Sequence, residues 1–135
     1  MAHKHVKVAV DDLPWEPWDL YFKGAPPNPE SGEFGGWCKV LRRPEGEDTH
    51  WTFLLKLVPP AGKKVRFVAI AGSNEEGYLL AGSAVDAQGR RTLEAGSYLF
   101  HSAGAPHAGF LDEEHLVYVH YDGDPDIVQE FEVVD

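Results

Sequence analysis

A single cysteine, Cys38, stands in the 135 residues, so no disulfide can form within the chain and a reducing interior suits it. Without a bonding partner, Cys38 reads as a small apolar core residue. Basic residues are scarce too, with 12 lysines and arginines against 22 acidic residues and a net charge of −10. A chain so acidic lacks the cationic face that nucleic acid or an anionic membrane requires, and neither is expected as a partner. No apolar run reaches about 18 residues, and the N-terminus shows no charged-then-apolar leader, so the expected setting is soluble and cytoplasmic. No segment holds a helical period, and no internal repeat or low-complexity tract occurs.

Short alternating runs separated by turn residues are what the chain does have. Their spacing of roughly 8 to 12 residues predicts an all-β barrel or jelly roll, and the length suits one domain able to bury a core unaided. His3 to Val10 alternates polar and apolar and is predicted as a strand, with His3 and His5 a solvated pair on one side. Asp11 to Gly36 mixes Pro14, Pro17, Pro26, Pro27 and Pro29 with Trp15, Trp18, Tyr21 and Phe22. Proline at that density denies the segment a helix, yet the aromatics need cover, so it is predicted to wrap over the barrel or dock on a second subunit. Strands are predicted at Gly36–Arg43 and Trp51–Val58, then at Val65–Ile70, Gly77–Ser83, His115–Tyr121 and Ile127–Val134.

Two glycine-framed blocks carry the most specific pattern. The first runs from Gly62 through Val68, Ile70 and Glu75 to Gly82, and the second from Gly96 through Tyr98, Phe100 and His101 to Pro106 and His107. In these frames, together with Gly35-Gly36-Trp37 and Pro60-Ala61-Gly62, the chain resembles small single-domain cupins, in particular those similar to acetylacetone-cleaving dioxygenase and to the cupin domain of zinc-binding anti-sigma factors. The resemblance implies a cupin double-stranded β-helix over residues 35–135, with residues 1–34 as an N-terminal extension.

In metal-dependent cupins, three histidines and a glutamate bind iron, manganese, zinc or nickel. Carried over by position, Glu75 and His107 match two of these ligands, while Val68 and Ile70 stand at the other two and have no lone pair to donate. The resemblance therefore implies no metal at the usual place. Should one divalent transition metal (Fe, Zn, Mn or Ni) bind, Glu75, His107, His101 and His120 are its candidate ligands.

The leading functional reading is an apolar barrel pocket that binds a small carbonyl or carboxylate compound, with metal-independent lyase or isomerase chemistry open to it. His107 and Glu75 are the candidate catalytic pair, because a carboxylate beside an imidazole in an apolar barrel tunes both proton affinities. Arg66, Val68 and Ile70 share one strand face and are candidates to line the pocket with Tyr98, Phe100 and Tyr118; Phe110 is a further aromatic candidate. A second reading is a dioxygenase-like metalloenzyme with a non-standard His/Glu set, and a third is a non-catalytic sensor or scaffold. A twofold homodimer is expected by likeness to other cupins.

Overall fold

The computed structural model describes residues 3–135; Met1 and Ala2, the first residues of the expected extension, lie outside the described residues. Eleven strands follow one another along the chain: β1 (Glu16–Pro17), β2 (Gly35–Arg42), β3 (Trp51–Val58), β4 (Lys64–Ile70), β5 (Glu75–Ala81), β6 (Ser83–Val85), β7 (Arg91–Glu94), β8 (Tyr98–His101), β9 (Pro106–Leu111), β10 (His115–Tyr121) and β11 (Ile127–Val134). They form two antiparallel sheets, ordered β1-β2-β3-β10-β5-β8 and β11-β4-β9-β6-β7. Among the described residues, two short 3-10 turns, Val10–Asp12 and Trp18–Leu20, are the only breaks in the all-β pattern.

Period-two alternation fixes what each strand gives to the interior. On β3, Phe53, Leu55 and Leu57 are buried, and β10 faces them with Val117, Val119 and Tyr121. Trp18 and Phe22, fully buried, join the core, Trp18 meeting Phe131 edge-on at a ring-centroid distance of 4.9 Å and Phe22 lying tilted against Phe53 at 5.0 Å. The indole can lie there because position 36 is glycine: a β-carbon on Gly36 would collide with the Trp18 ring. Cys38 is buried, and burial pushes its thiol up to about 12, which makes it inert.

The N-terminal strand predicted at His3–Val10 does not form. The segment runs extended without a ladder, with Val6, Val8 and Val10 all more than one-third exposed. The sheet edge it would need is taken, because Glu16 and Pro17 pair with Cys38 and Trp37 on β2. Side chains hold the segment instead: Lys4 Nζ donates to Asp48 Oδ2 at 2.6 Å and Lys39 Nζ donates to the Val10 carbonyl at 2.9 Å.

Candidate functional site

Strand register gathers one polar cluster inside the barrel. Glu75 on β5 stands opposite His101 on β8 and opposite Tyr121 on β10, so all three project from the same face. His107 enters from the other sheet, on β9, and Asp126 comes from the loop before β11. The turn at Ser73 and Asn74 clamps the two loops that flank these residues. Asn74 donates from its backbone N and from Nδ2 to the Asp122 carboxylate and accepts from the Ala103 N–H. Ser73 Oγ donates to the Asp124 carbonyl at 2.8 Å.

The resulting geometry is tight. His107 Nε2 lies 3.3 Å from Asp126 Oδ2 and 3.5 Å from Glu75 Oε1, and the His101 and His107 rings stack at 4.1 Å with 7° between their planes. Glu75 is 5% exposed and Asp126 4%. Among the described residues, Glu75 Oε1, His107 Nε2, Asp126 Oδ1 and the Tyr121 hydroxyl are buried without a hydrogen-bond partner. Such atoms are few in a native fold and each costs stability.

Electrostatics follow from burial and crowding. Burial drives the Glu75 carboxyl up to about 8, with neighbouring Asp126 adding and His107 opposing. For His107, burial works downward, but Asp126 and Glu75 overcome it and raise the imidazole to about 9. His101 goes the other way, lowered by burial and by the charge on His107. The cluster thus holds an imidazole of raised proton affinity between two carboxyl groups.

This cluster opens on a cavity of about 270 Å³ walled by Leu55, Phe67, Leu93, Leu99, Leu111 and Val119. Glu75, His101, His107 and Asp126 line it together with two further polar residues, Thr92 and His115.

The structure brings together only part of the set expected from the sequence. Glu75, His107 and His101 meet. Arg66, Val68 and Ile70 do not line the cavity: on β4 the inward residues are Val65, Phe67 and Ala69, and Arg66 is exposed and paired with Glu130 at 3.1 Å. The glycine frame places the missing histidines one residue off the inner face, and a slip of one residue exchanges the two faces of a strand. Tyr98, Phe100 and Tyr118 also point outward, at 60%, 54% and 43% exposure, and Phe110, opposite Arg66, is absent from the lining. Leu99 and His101 are the inward residues of β8. His120 lies on the outer face, its ring nitrogens 2.9 Å from His50 Nδ1 and 2.9 Å from Thr52 Oγ1, and takes no part in the cluster.

Three inward residues were not singled out as site residues from the sequence: Asp126, Tyr121 and His115. For Tyr121 and His115 the signal was present, since both fall on the β10 face shared with Val117 and Val119. Asp126 follows Asp122-Gly123-Asp124-Pro125, where acidic residues normally serve turns, and nothing in the sequence marks it.

No family model matches the chain, and no curated protein matches its sequence. Solved structures do. An acetylacetone dioxygenase from Acinetobacter johnsonii matches with a TM-score of 0.55 and 22% identity, over 90% of this chain and 74% of that one. A polyketide cyclase from Streptomyces resistomycificus matches with a TM-score of 0.59 and 20% identity, over 94% and 85%. An RmlC-like cupin from Ralstonia eutropha matches with a TM-score of 0.57 and 15% identity, over 92% and 74%. At these identities the likeness shows a shared fold.

Proposed function

We propose that this chain of cupin fold binds a compact, mainly apolar carbonyl compound inside its barrel and moves a proton on it. One observation carries the reading: Glu75 Oε1, His107 Nε2 and Asp126 Oδ1, all buried and without partners, converge at one end of a mainly apolar cavity. Two carboxyl groups already occupy that end, so a ligand carboxylate would meet repulsion and an uncharged carbonyl would not. Two of the structural neighbours are named for carbonyl compounds, acetylacetone and a polyketide, which is in keeping with this choice.

The chemistry is an enolisation. In its ionised form, populated as the pH rises toward 8, Glu75 accepts the proton α to the carbonyl, the C–H electron pair moves into the C–O system, and the carbonyl oxygen takes a proton from the His107 imidazolium. The proton gained by Glu75 then returns to His107 across the 3.5 Å between them, and the cycle closes. Asp126, 3.3 Å from His107 Nε2, raises the proton affinity of that imidazole.

Deuterium exchange at the α-carbons of 4-phenylbutan-2-one in D₂O, followed by NMR, tests this. The protein is expected to exceed buffer, and His107→Ala and Glu75→Gln each to lose about 100-fold or more. Exchange no faster than buffer, or unchanged in both variants, overturns it.

A second reading rests on the donor atoms of Glu75, His101 and His107 lying within 4.8 Å of one another. Two imidazoles and a carboxylate are a set used by non-haem iron and by zinc, and the unpartnered Glu75 Oε1 and His107 Nε2 fit a divalent transition metal. Bound there, such an ion would polarise a carbonyl oxygen as a Lewis acid. Stoichiometric iron, zinc, manganese or nickel in protein purified without an affinity tag supports this reading.

A homodimer completes the proposal. Tyr78, Leu80, Tyr98, Phe100 and Tyr118 are exposed together on the outer face of the β10-β5-β8 sheet, and a twofold copy covers such a face with itself. A solution mass equal to one chain counts against it. A cytoplasmic setting stays part of the proposal; no helix among the described residues is long and apolar enough to cross a membrane.

A further inference from the structure

We propose that His115 is a second polar anchor for the bound molecule, at the opposite end of the cavity from Glu75 and His107, and that it recognises a hydroxyl group there. The inference rests on the reading that the cavity holds a small molecule, and it names that molecule's class: a carbonyl at one end, a hydroxyl at the other, an apolar body between.

Strand β10 supplies the ruler. Its inner face carries His115, Val117, Val119 and Tyr121 in turn. Tyr121 stands opposite Glu75, whereas His115 stands opposite Leu57, so roughly 20 Å of strand separates the two ends. Between them the wall is apolar, with Leu55, Leu57, Leu111 and Val117.

The Ser83 backbone interacts with the His115 ring, but the ring Nδ1 is left without a partner. His115 is 6% exposed, lines the cavity, and its Nδ1 is buried without a hydrogen bond. Burial keeps the ring below its ordinary pKa against the upward pull of the Ser83 backbone and Glu113, so it is neutral near pH 7. At Nδ1 a neutral ring offers a donor or an acceptor according to its tautomer, and a hydroxyl answers either. A carbonyl answers one tautomer only. Thr92 adds a hydroxyl-bearing side chain to the same lining.

Two matched pairs of probes test the inference on the wild-type chain by calorimetric titration. The pairs are 4-phenylbutan-2-one with 4-(4-hydroxyphenyl)butan-2-one, and ethylbenzene with 4-ethylphenol. In each pair the hydroxylated member is expected to bind about tenfold tighter or more, because a site built to hydrogen-bond a hydroxyl discriminates against the analogue that lacks it. His115→Leu is expected to erase the preference, bringing each pair within about twofold. Should that variant fail to fold, the ¹⁵N signals of the His115 ring in wild-type protein decide: they should shift with 4-ethylphenol and stay with ethylbenzene. Equal affinities within the pairs, or a preference that survives His115→Leu, overturn the proposal. The two readings fail separately. Ketone α-exchange without hydroxyl preference sinks only the role of His115, while 4-ethylphenol binding through His115 without any ketone exchange sinks only the proton transfer. If none of the four probes binds, both fall.

Discussion

Ala69 on β4 stands directly opposite His107 on β9, so a methyl group shares the barrel interior with the imidazole. Two residues back on the same face, Phe67 packs its ring 5.9 Å from that of His107. The neighbours of His107 on this strand are therefore Phe67 and Ala69, and Val68 faces away.

That relationship makes the facing of β4 testable by adding a ligand. Phe67→His places a third imidazole beside Glu75, His101 and His107, and zinc affinity measured by competition with a chromophoric chelator is expected to rise about tenfold or more. Val68→His puts the same group on the outer face and is expected to leave zinc affinity at the wild-type level. A gain in Val68→His and none in Phe67→His would mean that the glycine frame, rather than the strand register, reports the inner face.

Asp126 is a positioning residue. Its carboxylate is the largest of the upward influences on His107, which it approaches at 3.3 Å. Asp126→Asn is expected to bring the His107 titration down by roughly one unit or more toward 6.5, read from the imidazole ¹⁵N shifts, and to move the alkaline limit of ketone exchange by the same amount. Asp126→Glu should restore part of both. A change in melting temperature with no movement of the His107 titration would assign Asp126 to structure alone.

Much of the fold was legible, and the reasons differ by element. Trp51–Val58 and His115–Tyr121 alternate so regularly that both their existence and their faces follow from composition. That Trp18 and Phe22 need cover follows from ring size and from prolines that forbid a helix, but whether the barrel or a second subunit supplies it was open in the sequence; both are buried within the chain. The site was harder. Counting from Gly62 assigned Val68 and Ile70 to the interior, but only ladder partners decide a strand's facing, and β9 and β11 set β4 one residue away from that count. Tyr98 and Phe100 were misassigned in the same way, since a four-residue strand offers too few positions for alternation to separate inside from outside. Asp126 reaches the cluster through a loop, where no periodicity exists to read. His3–Val10 has strand character without a free edge, a condition that belongs to the rest of the molecule.

Stability should pass through a maximum near pH 6.5, because the buried histidines pull in opposite directions. His107 has a folded value raised to about 9 against an ordinary 6.5, so its contribution is complete below pH 6.5 and is lost as pH rises through 9. Glu75, raised to about 8 from 4.5, acts with the same sign, its contribution complete below pH 4.5 and falling away up to about pH 8. His101, His115 and His120 are lowered, each chiefly by burial, so their contributions are present above pH 6.5 and vanish as pH falls through their folded values. Calorimetric melting between pH 5 and 9.5 is expected to show the melting temperature dropping by several degrees on the alkaline side, of the order of 5 °C by pH 9. His107→Gln removes the His107 share and should make that limb shallower, leaving the Glu75 share and the acid limb in place. A wild-type melting temperature that holds level from pH 6.5 to 9 would mean that His107 is not charged in the folded chain, and the enolisation would lose its proton donor.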